Sequence, residues 1–262
     1  MVHITNFKVV VNQLVATKIS QKVWDDYYQT IEDGAVGCLY PNEPLVRIVS
    51  TVKKGIIFNS ETFFGDEGKE NSNRKNFGGK CLEIGFGHVS NLIMMKEKGF
   101  DCQGLEVSKE AVIRGKRRLH EGKHKIQLNE WTDLQKLPYS DNTFDFIYGL
   151  ECIYYNVDLQ NTINEIKRCL KPNGYFAFSF FSNDHDYHKY IDIISSEKNY
   201  NIVKWAENHP NPRIRGAILS QPKSKNDLNE IFKEYGTKRI FTEESDFSPT
   251  FNSWWYIYGK CN

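Results

Sequence analysis

Hydrophobic and polar positions change between strand-like and helix-like patterns at short, regular intervals from about residue 80 onward. Short apolar runs predict strands near residues 81–84, 101–106, 125–129, 146–149 and 175–181. Between them lie segments with helical spacing, and the clearest repeats apolar residues at Leu159, Ile163 and Ile166. A regular alternation of strands and helices is typical of an α/β protein with a doubly wound, mostly parallel sheet.

The first 76 residues precede this alternation and form a separate predicted segment. Trp24, Tyr28 and Ile31 follow helical spacing, and a second apolar pattern occupies residues 45–52. Residues 65–79 are rich in Gly, Asn, Lys and Glu, which favours a linker or flexible loop. We therefore predict an N-terminal helical cap or lid at residues 1–76, followed by one domain at residues 77–262.

Composition narrows the class of protein. The 262 residues carry 34 basic and 33 acidic side chains, so no global field attracts nucleic acid or a membrane surface. The basic run at residues 114–125 is interpreted as the solvated face of a helix. The six cysteines lack metal-ligand spacing, and there is neither a long apolar run nor a signal-like start. These features predict a cytoplasmic protein with free thiols.

The segment at residues 80–108 carries the clearest candidate chemistry. A predicted strand leads into a turn with Gly85 and Gly87, then into a helix and a second strand that ends at Glu106. Glycines let backbone approach a ligand closely, and a carboxylate at Glu106 accepts hydrogen bonds from ribose hydroxyls. Dinucleotide and S-adenosylmethionine sites share this arrangement. Ser90 replaces the last glycine of the dinucleotide fingerprint, and Glu83 would repel a pyrophosphate but suit a ligand with an ammonium and a sulfonium.

With Glu83-Ile-Gly-Phe-Gly-His-Val89, the segment resembles motif I of the class I S-adenosylmethionine-dependent methyltransferases, Glu-x-Gly-x-Gly-x-Gly, with Val89 at the third glycine. Residues 137–145 resemble the family's Leu-Pro-Phe-x-Asp-x-Ser-Phe-Asp signature, and residues 167–178 resemble its Arg-x-Leu-Lys-Pro-Gly-Gly strand entry. The resemblance covers residues 80–262 except 182–220. It implies a C-terminal hairpin with an antiparallel strand, and a substrate-specificity insertion at about 182–220.

The resemblance also implies the cofactor, S-adenosyl-L-methionine, and a set of residues that bind it. Asp133 falls on the family's adenine-binding acid, although a loop-capping Asp is the alternative. Aromatic residues of the N-terminal segment resemble a lid over the cofactor, although simple packing of the cap explains them equally well. The predicted cofactor-binding residues are Glu83, Gly85, Gly87, Glu106, Val107, Asp133, Leu134, Gly149, Trp24 and Tyr28.

The acceptor side is less defined. Methyl transfer needs an aligned acceptor shielded from water, and a base where the acceptor must lose a proton. Residues 149–155 follow the fourth strand, where the resemblance places methyl delivery. They lack the Asn/Asp-Pro-Pro-Tyr of enzymes that methylate base amines or the glutamine amide. Glu151 and Tyr154 are candidates to orient a small acceptor.

The insertion supplies the remaining candidates. His185 or His188 could serve as a general base, and Arg213 with Arg215 could grip an anionic acceptor. The alternative is a polar surface loop with ordinary histidines. A metal site from His185, Asp186 and His188 is weaker because no further ligand follows at a telling spacing. We predict a metal-free reaction.

Several functions follow from this reading. The leading hypothesis is methyl transfer to an oxygen or nitrogen of a small molecule, such as a natural-product intermediate or a surface-polysaccharide sugar. The alternatives are an NAD(P)-dependent oxidoreductase and a catalytically silent cofactor-binding partner. A nucleic-acid methyltransferase would need residues 114–125 to follow a phosphate backbone. We expect a small-molecule partner and neither nucleic acid nor membrane. The sequence leaves open whether the chain forms a homodimer.

Overall fold

The computed structural model describes residues 12–31, 40–50, 79–245 and 251–262. Two helices precede the sheet, α1 at Gln13–Thr30 and α2 at Glu43–Ser50. They confirm the helical spacing predicted around Trp24 and residue 45. The predicted linker lies outside the described residues except for Gly79.

A seven-stranded sheet forms the centre of the fold, in the order β3-β2-β1-β4-β5-β10-β9. Strands β1 to β5 run parallel, and β10 is antiparallel to both β5 and β9. The predicted doubly wound sheet with a C-terminal antiparallel hairpin strand is thus confirmed. The strands are β1 Lys80–Ile84, β2 Asp101–Glu106, β3 Gln127–Glu130, β4 Phe144–Gly149, β5 Leu170–Phe181, β9 Lys238–Ser245 and β10 Asn252–Lys260.

Four helices connect these strands: α3 Ser90–Glu97, α4 Lys109–Glu121, α5 Leu159–Cys169 and α6 Lys225–Ile231. Three begin after residues with capping side chains, because Ser108, Asp158 and Ser224 each accept a hydrogen bond from a backbone amide of the first turn. Val89 caps α3, while the Ser90 hydroxyl accepts from an arginine on α4 at 2.9 Å.

The sheet separates two hydrophobic layers. Successive strand residues point to opposite faces, so Leu82 and Phe176 pack with α5 and α6, whereas Phe146 and Tyr148 pack with α2, α3 and α4. Phe176 is fully buried, and its ring stacks on Phe232 with the centroids 5.5 Å apart. These layers hold the strand ends in place, and the candidate site lies at the carboxyl ends of the parallel strands.

The insertion forms a second, three-stranded antiparallel sheet in the order β6-β7-β8. Its strands are β6 Ile191–Ser196, β7 Tyr200–Trp205 and β8 Ile218–Pro222, with short 3-10 helices at Asp186–Tyr190 and Pro212–Ile214. No strand was predicted within this insertion. The apolar positions do not mark the buried face of these strands, because Ile193 on β6 is 64% exposed whereas the polar Ser220 and Gln221 on β8 are buried.

Basic residues of α4 correct another expectation. Arg114 donates to the carbonyl of Ile31 at the end of α1, at 2.7 Å. Arg118 donates to the carbonyl of His88 in the glycine turn, at 2.7 Å. Two members of the run predicted to be solvated therefore anchor the cap and the turn to the sheet domain.

Candidate functional site

A pocket of about 350 Å³ lies between α1 and the carboxyl ends of β1, β2 and β4. The first strand ends at the glycine turn, the second at Glu106, and the fourth leads into residues 150–156. Because parallel strands bring their carboxyl ends to one edge, segments far apart in sequence share this pocket. It has the size and position of a small-molecule site.

The glycine turn forms the floor of the pocket. Gly85 lines it with φ at +70°, and its amide donates to the Leu105 carbonyl at 2.8 Å. A β-carbon at Gly85 would lie 2.7 Å from Sγ of Cys152 and closer still to its Cβ. Gly87 also has positive φ, and a β-carbon there would meet the Tyr28 hydroxyl at 2.7 Å. Both positions therefore favour glycine for its conformation, and Gly85 requires it for space as well.

Val89 stands where the family has its third glycine and adopts the left-handed conformation, with φ 60° and ψ 6°. The conformation costs a β-branched residue roughly 1–2 kcal/mol. Complete burial of Val89 offsets this strain. The departure from the family motif leaves the left-handed backbone in place.

Glu106 ends β2 and lines the pocket. Its carboxylate accepts hydrogen bonds from the amides of Gly87 at 3.1 Å, Val107 at 2.7 Å and Ser108 at 3.1 Å. Burial raises the pKa of Glu106, and the amide donors oppose that rise. Two of the amides share Oε1, so Oε2 retains capacity to accept from a ligand hydroxyl in the pocket.

Glu83 occupies a different environment. It is 1% exposed and does not line the pocket. It accepts from Asn91 Nδ2 at 2.8 Å and from the Tyr148 hydroxyl at 3.3 Å, and burial raises its pKa well above the usual value. Asn91 in turn accepts from the Asn42 amide at 2.8 Å, which links this network to the start of α2. The ligand-binding role of Glu83 stays a prediction.

The loop after β3 approaches the pocket through residues on either side of Asp133. Leu134 and Thr132 line the pocket, whereas the Asp133 side chain is exposed and accepts from the Gln135 amide at 3.0 Å. The structure thus shows the loop-capping contact weighed as the alternative. Adenine recognition by Asp133 stays a prediction that the pocket geometry does not support.

Helix α1 covers the pocket with one face. The residues that face it follow helical spacing and are Gln13, Thr17, Ser20, Trp24, Tyr27, Tyr28 and Ile31. Trp24 meets Tyr155 edge to face at 5.3 Å, and Tyr28 meets His88 at 5.2 Å. Both predicted lid aromatics therefore line the pocket and also pack against its walls.

Polar contacts fasten α1 near both of its ends. Asp25 accepts from the Ser108 hydroxyl at 2.6 Å and from the Glu110 amide at 3.2 Å, which adds a negative charge at the N-terminus of α4. At the other end, Gln13 accepts from the Val157 amide at 3.1 Å. These contacts hold α1 against the sheet domain as one wall of the pocket.

The segment after β4, predicted to face the acceptor, lines another part of the pocket. Glu151 lines the pocket with φ at +58°, and its amide donates to the buried Ser179 hydroxyl at 2.7 Å. Left-handed residues other than glycine cost of order 1–3 kcal/mol and occur preferentially at functional sites. Tyr154 is 3% exposed and does not line the pocket, whereas Tyr155 does. Gly149 packs closely against β1, since a β-carbon added to it would lie 2.9 Å from the Ile84 carbonyl oxygen. Val107 lines the pocket.

Neither histidine proposed as a base lines the pocket. His185 is 3% exposed, and its Nδ1 accepts from the Tyr187 amide at 3.0 Å. His188 is half-buried in the 3-10 helix that begins directly after His185. Neither of the proposed anion-binding arginines lines the pocket: Arg215 donates to the His209 carbonyl at 2.8 Å, and Arg213 lies 5.8 Å from the ring centroid of the pocket residue Tyr27.

The weaker metal hypothesis also lacks support. Within residues 12–31, 40–50, 79–245 and 251–262, no three His, Cys, Asp or Glu side chains are grouped as metal ligands, so His185, Asp186 and His188 form no such group. The catalytic roles proposed for His185, His188 and Tyr154 stay untested predictions, and Glu151 alone of the four candidates lines the pocket.

The buried histidine predicts a pH-dependent stability. Burial lowers the pKa of His185 to about 4, with His209 and His188 acting in the same direction and Asp186 opposing them. An unfolded chain protonates this residue near pH 6.5, so its contribution is complete above that pH and is lost as the pH falls towards 4. The loss amounts to about 3 kcal/mol. We expect urea unfolding to show a steeper loss for the wild type than for His185→Asn, which keeps an acceptor for the Tyr187 amide. Parallel pH profiles of the two proteins would contradict this expectation.

Several pocket residues escaped the sequence analysis. Gln13, Thr17 and Ser20 share the helical stripe of Trp24, so the spacing alone could have identified them. Cys152 and Asn156 lie in a coil segment whose path only the fold defines. Asn42 contacts both Asn91 and Glu151 across long sequence separations, and no local pattern marks it.

No helix in the described ranges combines the length and apolar character needed to cross a membrane.

Comparison with known proteins identifies the family. A family model described as a methyltransferase domain matches residues 59–240. The chain is 30% identical over 110 residues to a sterol 4-C-methyltransferase of Caenorhabditis elegans, covering 42% of this chain and 33% of the relative. It is 28% identical over 106 residues to the 27-O-demethylrifamycin SV methyltransferase of Amycolatopsis mediterranei, covering 40% and 39%. The aligned segments thus span only about a third of these curated relatives.

Solved structures share the fold at low sequence identity. The 1,6-didemethyltoxoflavin-N1-methyltransferase of Burkholderia thailandensis aligns with a TM-score of 0.58 at 11% identity, covering 97% of this chain and 92% of that chain. A methyltransferase from Aquifex aeolicus aligns with a TM-score of 0.53 at 15% identity, covering 91% and 98%. The family model and the shared fold show that the chain belongs to the class I S-adenosylmethionine-dependent methyltransferases, and its cofactor is S-adenosylmethionine.

Proposed function

We propose that this protein transfers the methyl group of S-adenosylmethionine to an oxygen or nitrogen of a small molecule bound beneath α1. The observation that carries the proposal is one pocket that combines Glu106, the left-handed Gly85 and the aromatic face of α1. The NAD(P)-dependent alternative has no support from the family to which the chain belongs.

The residues present fit the cofactor. Glu106 Oε2 retains acceptor capacity for ribose hydroxyls, and Gly85 lines the pocket without a side chain of its own. Leu134 and Trp131 give an apolar wall beside Thr132 for the adenine ring. The bound cofactor supplies a methyl group already activated by its sulfonium.

The protein's own contribution is alignment and exclusion of water. The docked α1 closes one side of the pocket with Trp24, Tyr27 and Tyr28, and the contacts of Asp25 hold that helix in place. Removing water and fixing the reacting groups at short range are the main sources of catalysis for such a displacement. Glu151, on the opposite wall, is the pocket carboxylate available to orient an acceptor.

A small acceptor is supported by the pocket volume of about 350 Å³ and by the diversity of related enzymes. Those relatives are named for sterols, phosphoethanolamine and a rifamycin, so the family accommodates unlike small molecules. Nucleic acid is disfavoured because Arg114 and Arg118, which a phosphate track would need, bond backbone carbonyls instead. The five described cysteines are free, which supports a cytoplasmic location. A homodimer stays a prediction.

Calorimetry with S-adenosylmethionine, S-adenosylhomocysteine and NAD tests the cofactor, followed by turnover with a panel of small acceptors. We expect both adenosyl ligands to bind, NAD not to bind, and at least one acceptor to increase S-adenosylhomocysteine formation above the acceptor-free rate. Mass spectrometry of the protein controls for auto-methylation. Binding of NAD alone would contradict the proposal. Cofactor binding without turnover on any acceptor would instead favour a catalytically silent partner.

A further inference from the structure

The charges around the pocket limit the chemistry of the acceptor. Glu106 and Glu151 line the pocket, and among the described residues no lysine or arginine does. Burial and the charges of Arg118 and Arg114 lower the pKa of His88, so this pocket histidine is neutral near pH 7. The described part of the pocket wall thus offers an acceptor with a carboxylate or phosphate two carboxylates and no cationic side chain, since Arg114, Arg118 and Arg213 lie behind lining residues.

The two carboxylates differ in the hydrogen bonds they receive. Glu106 accepts from three backbone amides and is assigned to the cofactor ribose. Among the described residues, only Asn42 donates to the Glu151 carboxylate, through Nδ2 at a long 3.4 Å. Glu151 is exposed, and a carboxylate with so few donors from the protein is complemented by a ligand that brings N–H groups or a positive charge.

The fold holds Glu151 in this position. Its left-handed backbone directs the residue into the pocket, and the buried Ser179 on β5 fixes its amide. Asn42 contacts the Glu151 carboxylate and also bonds Asn91. Strained residues that neighbouring elements hold in place cluster at functional sites, so the position of Glu151 on the pocket wall indicates a functional role.

The remaining walls suit an apolar or aromatic body. Trp24, Tyr27, Tyr28, Trp131 and Tyr155 contribute rings to the pocket. Aromatic faces attract cations as well as flat apolar groups, so these rings and Glu151 favour the same kind of ligand.

Resting on the proposed function, we propose that the acceptor is an amine on an apolar or aromatic body, with its nitrogen hydrogen-bonded to Glu151. Glu151 accepts one proton from the ammonium and frees the nitrogen lone pair. That lone pair forms the new N–CH3 bond while the C–S bond breaks and its electron pair stays on sulfur. The product amine leaves protonated, and Glu151 returns its proton to water.

Groups on every neighbouring element bear on the protonation of Glu151. Although Glu151 is accessible through the pocket, desolvation by the surrounding protein raises its pKa, as does Glu243 on β9, while Asn42 opposes the rise. Arg47 on α2 pairs with Glu243 at 2.7 Å. Burial raises the pKa values of Cys152, Tyr154, Tyr155 and Tyr256 as well, which keeps these groups neutral. A raised pKa suits a base that accepts a proton near neutral pH.

Ligand binding to the protein saturated with S-adenosylhomocysteine tests the inference without turnover. The probes are a graded series of alkyl and arylalkyl amines, each with the alcohol and the carboxylate of the same carbon skeleton. We expect the best amines to bind at least ~10-fold more tightly than their matched alcohols, the scale of a hydrogen bond to a charged group. The preference should weaken as the pH falls through the pKa of Glu151, because the protonated acid no longer attracts an ammonium.

Glu151→Gln should remove the preference for amines while still binding S-adenosylhomocysteine. Glu97→Gln, an exposed carboxylate at the end of α3, is the matched control and should keep it. The inference is overturned if no amine binds, if alcohols or carboxylates bind equally well, or if Glu151→Gln retains the preference. Failure of the wild type to bind S-adenosylhomocysteine would overturn the proposed function itself, and this inference with it.

Discussion

Replacing Glu106 with alanine is expected to weaken S-adenosylmethionine binding by about 1–3 kcal/mol, the scale of a hydrogen bond to a charged group. This corresponds to a loss of roughly 5- to 150-fold in affinity. The residue orders the site as well as contacting the ligand, because its carboxylate holds the amides of Gly87, Val107 and Ser108. Isothermal calorimetry gives the affinity, and urea unfolding shows whether the variant is still folded.

Glu83→Gln provides the matched comparison for Glu106→Ala. Both carboxylates are buried at strand ends next to the glycine turn, but Glu106 lines the pocket and Glu83 does not. We expect a smaller loss of affinity for Glu83→Gln, since its carboxylate is bonded to Asn91 and Tyr148. An unchanged affinity in a folded Glu106→Ala protein would place the ribose elsewhere. A larger loss for Glu83→Gln would restore Glu83 as the principal cofactor acid.

Gly85→Ala is expected to lower cofactor affinity by ~100-fold or more and to destabilise the fold by about 2–4 kcal/mol. Two costs combine at this position. The left-handed conformation at φ +70° is unfavourable for alanine, and the new β-carbon would overlap Cys152. The contact is with the Cβ of Cys152, which cannot rotate away, so the turn itself must shift. Urea unfolding and calorimetry measure the two losses separately.

Companion variants separate strain from overlap. Cys152→Gly in the Gly85→Ala background removes the overlapping atoms, so it should recover part of the stability and leave the conformational cost. At Gly87 the added carbon would meet only the Tyr28 hydroxyl, the end of a side chain that can move. Gly87→Ala should therefore cost less, and Tyr28→Phe should relieve it. Equal losses at Gly85 and Gly87 would show that overlap with Cys152 is not the decisive term.

The cofactor side of the site was accessible from sequence because its chemistry is local. Gly85 and Glu106 sit at the ends of strands that apolar runs delimit, and parallel strands bring such ends together. The aromatic residues Trp24 and Tyr28 were found through helical spacing. Asp133 shows the limit of motif matching, since its neighbours reach the pocket while its own side chain bonds the Gln135 amide.

The acceptor side was less accessible because its residues meet only through the tertiary fold. His185 and His188 were attractive as titratable groups in an unmatched insertion, yet the chain folds that insertion into a separate sheet and leaves both histidines off the pocket wall. Asn42 reaches Glu151 from 109 positions away. No pattern within a strand or a helix marks a contact of that kind.

By itself, the order of apolar strands and amphipathic helices determined the doubly wound sheet and the position of the glycine turn, whereas the C-terminal hairpin was implied by the family resemblance. The sheet and the turn depend on side-chain periodicity and backbone freedom, which are properties of short segments. Only the tertiary structure decided that α1 closes the pocket, that Glu151 lines it beside Asn42, and that Glu83 lies beneath it. Those relations depend on which burial and hydrogen-bonding partners distant segments find when they pack.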